Sequence, residues 1–308
     1  MKNNFKYSVV IPVFNEAQNA GALYDEIKVE LEKLGEKYEI IFVDDGSRDN
    51  TFEELSEKSP ITIVRLRRNA GQSSAMDAGI KQATGEILIT MDGDGQDDPT
   101  YIPVLLARLD KGYDAVCAWR HLRKDTLSKR FLSWGWRKLR GKFIYDGVHD
   151  AGTQFRVYKR EVFEDLDLYG EMHRFIPALL LWRGFKVTEE KVNHRERKHG
   201  TSKYTWKRPL KGFADLIYMW FWRKYSTRPQ QMFGAMGFLS MSIGMLILLG
   251  MAYMRIFRGY YLSDKIWPLV GFFFVLAGIQ LFSTGILAAS LVEVNRSKKY
   301  FIKDVVTR

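Results

Sequence analysis

The sequence has few of the residues on which disulfide-rich and zinc-binding proteins depend. Its 308 residues include one cysteine, Cys117, so a disulfide framework within the chain and a cysteine-based zinc site are both excluded. The five histidines are scattered and show no metal-site spacing, and there is no internal repeat or low-complexity tract. Because 46% of the residues are hydrophobic and 27% are charged, the composition predicts a folded chain of one large or two smaller units.

The two parts of the chain carry net charges of opposite sign. Residues 1–100 contain 11 Lys and Arg against 19 Asp and Glu, whereas residues 101–308 contain 36 against 17. An acidic first part argues against binding to nucleic-acid phosphates, so we expect no nucleic-acid partner. The basic second part favours contact with a membrane surface or a phosphate ligand.

Two long segments, residues 232–254 and 266–292, contain no charged residue at all. At about 1.5 Å per residue the first would extend roughly 35 Å as a helix, which is enough for a hydrocarbon core of about 30 Å. We therefore predict two membrane spans, the alternative being a buried helical hairpin. Residues 1–5 are polar and the apolar run 7–12 is too short for a signal peptide, so none is expected.

Strand and helix patterns alternate over the first part of the chain. Short apolar runs predict strands at residues 7–12, 39–43, 61–66, 87–91 and 115–118. Helical spacing predicts helices at residues 17–34, 49–58, 71–83 and 101–109. This alternation predicts an α/β fold with a parallel sheet and right-handed crossovers. Ligands of such sheets bind at the carboxyl ends of the strands, where this sequence places polar motifs.

The most acidic of these motifs is Met91-Asp92-Gly93-Asp94-Gly95-Gln96-Asp97-Asp98-Pro99. Its four acids repel one another unless a cation neutralises them. Asp92, Asp94 and Gln96 suit a hard divalent cation that also binds diphosphate oxygens. The alternative is a solvated acidic turn before a helix, with Asp98 as the N-cap and Pro99 at the first helical position. Asp98 can serve as the cap in either case.

Two further motifs follow the first two strands. Val43-Asp44-Asp45-Gly46-Ser47 offers carboxylates that can bind ribose hydroxyls or a nucleobase N–H, the alternative being a turn with an N-cap. Pro12-Val13-Phe14-Asn15-Glu16, taken alone, is more typical of a polar loop.

Basic and aromatic residues are interleaved in two later segments. Residues 119–142 contain nine Lys and Arg against one acid, together with several aromatic side chains, as expected of an amphipathic helix at a membrane interface. Residues 194–228 have the same character, and Trp220 and Trp222 precede the first predicted span as interface anchors do.

In this order, the motifs resemble those of family 2 glycosyltransferases with the GT-A fold. The closer resemblance is to polyprenyl-phosphate glycosyltransferases, that is, dolichyl-phosphate mannose and glucose synthases and their bacterial undecaprenyl-phosphate relatives. Residues 149–156 are similar to the Asp-x-x-x-x-Phe-Arg stretch of this group, residues 197–204 to its Arg-x-x-Gly-x-Ser-Lys motif, and residues 225–229 also fit. The sequence departs from this pattern at Gly95, where many relatives have leucine, while the candidate ligands are intact.

The resemblance implies a Rossmann-like, mostly parallel GT-A sheet with interfacial amphipathic helices and two C-terminal transmembrane helices. It also implies roles for individual residues. The ligands of Mg²⁺ or Mn²⁺ on the diphosphate of a nucleotide sugar would be Asp92, Asp94 and Gln96. The nucleoside would be held by Pro12, Glu16 and Asp45. The acceptor, a lipid phosphate, would meet Arg120, Lys129, Arg130 and Ser133.

Three further residues are expected near the reacting groups. Arg197 and Lys203 are expected to clamp the diphosphate, the alternative being contact with lipid head groups. A strand is expected at residues 154–158, and the loop before it can bring Asp150 to the cleft. We expect Asp150 to orient or deprotonate the acceptor phosphate, with Glu171 as the alternative base and a simple turn or capping role for Asp150 also open. Because a lipid phosphate is already anionic, a strong base is unnecessary.

These expectations predict inverting transfer of a hexose to polyprenyl or dolichyl phosphate, giving a β-linked product. UDP-glucose is the favoured donor and GDP-mannose the next. One alternative is a processive polysaccharide synthase, although the Gln-x-x-Arg-Trp motif typical of that class does not occur here. The other alternative is a non-catalytic membrane scaffold.

The same expectations divide the chain into three parts. We predict a cytoplasmic catalytic domain at residues 1–205, a juxtamembrane helix at 206–231, and a two-helix anchor with a short cytoplasmic tail at 232–308. Two spans place both ends of the chain on one side of the bilayer. The basic flanks of the spans and the cytosolic origin of nucleotide sugars favour the cytoplasm. An oligomer is compatible with the sequence.

Overall fold

The computed structural model describes residues 5–120, 147–150, 152–193, 195, 217, 220–221, 224–226, 228–259, 261 and 265–294. The chain divides into two compact units, Met1–Pro209 and Leu210–Arg308. Most of the predicted juxtamembrane helix and nearly all of the predicted tail lie outside the described residues, so these boundaries remain predictions.

The first unit contains a seven-stranded mixed sheet. Its strands are β1 (Tyr7–Val13), β2 (Tyr38–Asp44), β3 (Thr62–Arg65), β4 (Ile87–Thr90), β5 (Ala115–Arg120), β6 (Arg156–Lys159) and β7 (Val187–Val192). The order is β3-β2-β1-β4-β6-β5-β7, and every pairing is parallel except the two that β6 makes with β4 and β5. The mostly parallel sheet is thus confirmed, while the reversed direction of β6 and the existence of β7 were not predicted.

Helices pack on both faces of this sheet. They are α1 (Ala17–Lys33), α2 (Thr51–Ser56), α3 (Gln72–Gln82), α4 (Ile102–Leu109) and α5 (Ile176–Trp182). Leu23, Ile27 and Leu31 of α1 are buried in one cluster with alternate residues of β1 and β2, such as Val9 and Phe42. The helical spacing therefore marks the buried face of α1, as the sequence predicted.

On the opposite face α3 approaches the sheet very closely, which places its first turn beside the end of β4. A Cβ on Gly79 would lie 2.4 Å from Cγ1 of Val10 and 2.7 Å from Cγ2 of Val43. Only glycine fits at that separation, because such distances are well inside van der Waals contact.

The second unit contains two long helices, α6 (Pro229–Arg258) and α7 (Trp267–Val294). By length and composition both can cross a membrane, with a mean hydropathy of 2.0 and only 17% of the most apolar window buried. That exposure favours the predicted spans over a buried helical hairpin. The two helices approach at glycines, since a Cβ on Gly278 would lie 2.6 Å from the carbonyl oxygen of Gly237, as small residues allow in membrane helix pairs.

Candidate active site

The acidic loop, residues 92–98, leaves the carboxyl end of β4 and folds back on itself. The backbone N–H of Asp92 donates to Oδ2 of Asp97 at 3.1 Å, and Asp97 is buried. A Cβ on Gly93 would lie 2.9 Å from the carbonyl oxygen of Pro12, so the loop packs directly on the end of β1. Asp98 accepts from the N–H of Thr100, with Pro99 at the start of the following turn, and the predicted N-cap is therefore confirmed.

The carboxylates of this loop are electrostatically crowded. Burial, and secondly the charge of Asp94, raise the pKa of Asp92 to about 6. Burial, and secondly the charge of Asp92, raise the pKa of Asp97 to about 8. Because like charges and desolvation both disfavour ionisation, a cation bound here would stabilise the ionised forms and lower both pKa values.

The residues present fit a divalent cation that draws its remaining ligands from elsewhere. Asp92 and Asp94 supply two carboxylates close enough to raise the pKa of Asp92, and oxygen ligands are those that Mg²⁺ and Mn²⁺ prefer. Within the described residues, no group of three or more His, Cys, Asp or Glu side chains converges on one point. Phosphate oxygens and water would therefore complete the coordination. The side-chain amide of Gln96 donates to the carbonyl oxygen of Arg195 at 3.4 Å.

Gln72, at the first position of α3, contacts the acidic loop from the other side. Its Nε2 donates to Oδ1 of Asp92 at 2.7 Å. Sequence reasoning did not find this residue, because its partner lies 20 residues later in the chain and only the packing of α3 on the sheet brings them together.

The residues predicted to hold the nucleoside lie at the ends of β1 and β2, and two of them make internal hydrogen bonds. Pro12 is a buried residue of β1. The carboxylate of Glu16 accepts from Nδ2 of Asn19 at 2.7 Å, at the start of α1. The Asp45 carboxylate accepts from the backbone N–H groups of Ala70 and Gly71 at 2.7 and 3.0 Å, so it holds the loop that enters α3. A nucleoside role for these residues remains a prediction.

Arg120 and Asp150, predicted to act on the acceptor phosphate, bind each other. Nε of Arg120 donates to Oδ2 of Asp150 at 2.6 Å, and Nη2 donates to Oδ1 at 3.1 Å. Their side chains are only 12% and 13% exposed. Burial by itself lowers the pKa of Arg120, but the hydrogen bonds to Asp150 and the charges of Asp97 and Asp92 outweigh it and raise the pKa above its ordinary value. The guanidinium is thus a permanent cation between the acidic loop and Asp150.

Gly152 fits closely against this pair. Its N–H donates to Oδ1 of Asp150 at 3.0 Å. A Cβ at this position would lie 3.2 Å from both Nη2 of Arg120 and Oδ1 of Asp150. A side chain here would compete with the pair for space.

A series of buried hydrogen bonds connects β6 to the first turn of α3. Arg156 of β6 is fully buried, and its Nη1 donates to the carbonyl oxygen of His173 at 3.0 Å. Nδ1 of His173 lies 2.7 Å from Oγ of Ser73, in the first turn of α3. The positive charge of Arg156 partly offsets the rise in the pKa of Asp92 that burial and the charge of Asp94 cause. His173 is itself buried and links Arg156 to α3 through these contacts.

The alternative base, Glu171, forms an ion pair with Arg174 at 3.2 Å. Of the segment 119–142, Trp119 and Arg120 belong to β5, which is two residues longer than predicted, while the rest lies outside the described residues. The remaining predicted contacts also lie outside the described residues and stay predictions. They are Lys129, Arg130, Ser133, Arg197 and Lys203.

Comparison with known proteins identifies the family. The family described as "Glycosyl transferase family 2" matches this chain over residues 8–167, a range that includes the acidic loop, Arg120 and Asp150. The chain belongs to glycosyl transferase family 2. The predicted resemblance of the motifs to those of family 2 glycosyltransferases is therefore confirmed.

Two curated relatives match this family 2 glycosyltransferase over nearly their whole lengths. A dodecaprenyl-phosphate galacturonate synthase of Rhizobium johnstonii is 34% identical over 315 residues, covering 98% of this chain and 93% of the relative. An undecaprenyl-phosphate 4-deoxy-4-formamido-L-arabinose transferase of Enterobacter sp. (strain 638) is 33% identical over 313 residues, covering 98% and 94%.

Solved structures share the fold over about seven-tenths of the chain. Glucosyl-3-phosphoglycerate synthase of Mycobacterium tuberculosis, solved with Mn²⁺ and UDP-glucose, has a TM-score of 0.53 at 19% identity, covering 72% of this chain and 80% of that chain. Mannosyl-3-phosphoglycerate synthase of Rubrobacter xylanophilus has a TM-score of 0.54 at 17% identity, covering 71% and 74%. Together with the mostly parallel sheet, this likeness confirms the predicted GT-A fold.

Proposed function

We propose that this family 2 glycosyltransferase transfers a sugar from a nucleotide sugar to a polyprenyl phosphate at a membrane. The observation that carries the proposal is the position of Arg120, which pairs with Asp150 and is electrostatically coupled to Asp92 and Asp97. A guanidinium at this place can bind a phosphate in bidentate fashion beside the acidic loop. The two relatives that match nearly the whole chain are named for such acceptors.

The donor would be held on the side of the acidic loop. Asp92 and Asp94 would bind Mg²⁺ or Mn²⁺, whose positive charge stabilises the diphosphate as it leaves. Pro12, Glu16 and Asp45 line the adjoining strand ends, where open α/β sheets bind their ligands. Arg197 and Lys203 would bring further positive charge to the diphosphate.

The acceptor would be held by Arg120, with Lys129, Arg130 and Ser133 nearby. A phosphate oxygen attacks the anomeric carbon, the bond from that carbon to the diphosphate oxygen breaks, and the nucleoside diphosphate leaves. A dianionic phosphate has no proton to lose, so no base is required for this step. One in-line attack inverts the anomeric configuration, so an α-linked donor gives a β-linked product.

Asp150 is better placed to orient Arg120 than to accept a proton. Both of its carboxylate oxygens already accept hydrogen bonds from the guanidinium, and a carboxylate in such a pair is a weak base. We therefore propose that Asp150 orients Arg120, a role that differs from the predicted one of orienting or deprotonating the phosphate itself.

The relatives move the donor proposal away from UDP-glucose. Galacturonate and 4-deoxy-4-formamido-L-arabinose, the sugars in their names, have the same configuration at C2, C3 and C4 in the pyranose ring, and both differ from glucose at C4. We propose a nucleotide sugar of this galacto configuration as the donor. UDP-galacturonate is the first choice, ahead of UDP-glucose and GDP-mannose.

A panel of donors tests the activity and its specificity together. The full chain in detergent is incubated with undecaprenyl phosphate and with UDP-galacturonate, UDP-glucuronate, UDP-galactose, UDP-glucose or GDP-mannose, and the lipid product is measured by mass spectrometry. The two pairs of C4 epimers differ only at the proposed determinant, so each galacto member should react faster than its partner. Faster transfer of glucose would restore the original donor prediction.

The same panel separates the alternative functions. Products that carry several sugars would indicate a processive synthase. The absence of product and of any nucleotide release stimulated by the lipid phosphate would indicate a scaffold. We further propose that α6 and α7 span the membrane and that the catalytic unit lies on the cytoplasmic side, which protease protection of oriented vesicles tests.

A further inference from the structure

Arg195, just after β7, joins three parts of the first unit. Its guanidinium pairs with Glu26 of α1 through Nη1 and with Oδ1 of Asp98 through Nη2, the latter at 2.7 Å. Its backbone N–H donates to the carbonyl oxygen of Gln96 at 3.0 Å, and its own carbonyl oxygen accepts from Nε2 of Gln96 at 3.4 Å. These partners lie between 97 and 169 residues away in the chain.

The backbone contacts determine how Gln96 is presented. Arg195 bonds both the main-chain carbonyl and the side-chain nitrogen of Gln96, so the amide oxygen is not the side-chain atom that Arg195 engages. An amide oxygen is the atom that a hard cation binds. The ion pairs with Glu26 and Asp98 anchor the residue that makes these two bonds.

The ion pair with Asp98 also matters for charge. Four acids lie within seven residues of this loop, and Asp98 is the one that caps the following turn rather than a predicted metal ligand. Neutralising Asp98 leaves the remaining negative charge at the other carboxylates. A single guanidinium with two planar edges can pair with two carboxylates from different elements, which a lysine ammonium cannot do with the same geometry.

We propose that Arg195 is a positioning residue that fixes the acidic loop, and Gln96 in particular, for the binding of the metal and the donor diphosphate. The inference rests on the proposed function, since it assumes that the loop binds a divalent cation. Arg195 would not touch the substrate itself.

The test measures the binding of Mn²⁺ to the full chain in detergent, with UDP present. Electron paramagnetic resonance detects the bound Mn²⁺. Substitution of a residue that hydrogen-bonds to a metal ligand typically weakens metal binding by about 10- to 100-fold. Because the Arg195 side chain is 31% exposed, we expect Arg195→Ala to weaken Mn²⁺ binding by about 10-fold, at the low end of that range. Arg195→Lys should recover only part of the loss, and Asp98→Asn should reproduce it in part.

Two control variants distinguish positioning from general stability. Glu26→Gln removes the charge of the pair with α1 but leaves the contact with Asp98, so Mn²⁺ affinity should fall clearly less than in Arg195→Ala. Arg183→Ala removes a different arginine, whose guanidinium donates to the carbonyl oxygens of Glu164 and Asp165, and should change only the unfolding temperature. A change in Mn²⁺ affinity without a matching change in unfolding temperature is a readout that a purely structural role would not give.

The outcomes separate this inference from the proposed function. Wild-type Mn²⁺ affinity in a folded Arg195→Ala variant would overturn the inference alone. An equal loss in Glu26→Gln would place the effect in α1 and would also overturn it. If the wild-type protein transfers sugar but binds no Mn²⁺, the metal site and this inference both fail while the transferase activity stands.

Discussion

Replacing Asp150 with Asn tests whether this carboxylate acts through Arg120 or by itself. The amide keeps one acceptor oxygen for the guanidinium but loses the charge and the second acceptor. The structure shows two hydrogen bonds, at 2.6 and 3.1 Å, between side chains that are almost buried. Loss of one hydrogen bond to a charged group costs about 1.5–3 kcal/mol. We therefore expect kcat/KM for the lipid phosphate to fall about 10- to 150-fold.

A double-mutant cycle decides between the two roles. If Asp150 acts by orienting Arg120, then Asp150→Asn should add little to the loss already caused by Arg120→Ala. An independent base would instead contribute about 10²- to 10⁴-fold, multiplied onto the effect of Arg120→Ala. The assay measures initial rates with the donor that the panel identifies and with undecaprenyl phosphate as the varied substrate.

Two control measurements separate an effect on the acceptor from loss of nucleotide binding or of folding. Binding of the nucleotide, measured by calorimetry, should be nearly unchanged in Arg120→Ala and in Asp150→Asn. The unfolding temperature should be recorded as well, because removing one partner of a buried ion pair costs about 3–5 kcal/mol of stability. Multiplicative losses in the double variant would refute the positioning role, and loss of nucleotide binding in Arg120→Ala would move this residue to the donor site.

Three further predictions follow from the same structure. Asp94→Ala should abolish transfer, and EDTA should do the same to the wild type with Mg²⁺ or Mn²⁺ restoring it; full turnover in the chelator would contradict the metal site. Gln72→Leu should weaken Mn²⁺ binding about 10-fold, measured by paramagnetic resonance, and an unchanged affinity would show that its bond to Asp92 is dispensable. Gly278→Ala, whose Cβ would lie 2.6 Å from the carbonyl oxygen of Gly237, should lower the unfolding temperature in detergent, whereas Gly250→Ala meets nothing within 4 Å and should not.

Local sequence was sufficient for much of the first unit. The strands β1 to β5 and helices α1 to α4 lie within a few residues of their predicted positions. Their apolar periodicity and short lengths are local properties, and each strand is followed by polar residues at the same edge of the sheet. The N-cap role of Asp98 is also local, because the N–H that its carboxylate caps belongs to Thr100, two residues later.

The antiparallel direction of β6 could not be predicted from local sequence. β6 has four residues, and its apolar pattern is the same whether it runs parallel or antiparallel to its neighbours. Its antiparallel pairing sets Arg156 opposite Cys117 of β5, and Asp150, which precedes β6 in the chain, meets Arg120 at the end of β5. No spacing in the sequence encodes that contact between residues 30 positions apart.

The sequence by itself determined which chemical groups follow each strand, because acids, amides and glycines at strand ends can be read directly. It also determined the two long apolar helices, whose length and lack of charge are properties of the chain alone. Only the tertiary structure decided which of these groups are bound to one another. Arg120 with Asp150, Gln72 with Asp92, and Arg195 with Gln96 and Asp98 all join distant elements, since hydrogen bonds and ion pairs depend on distance in space rather than on separation along the chain.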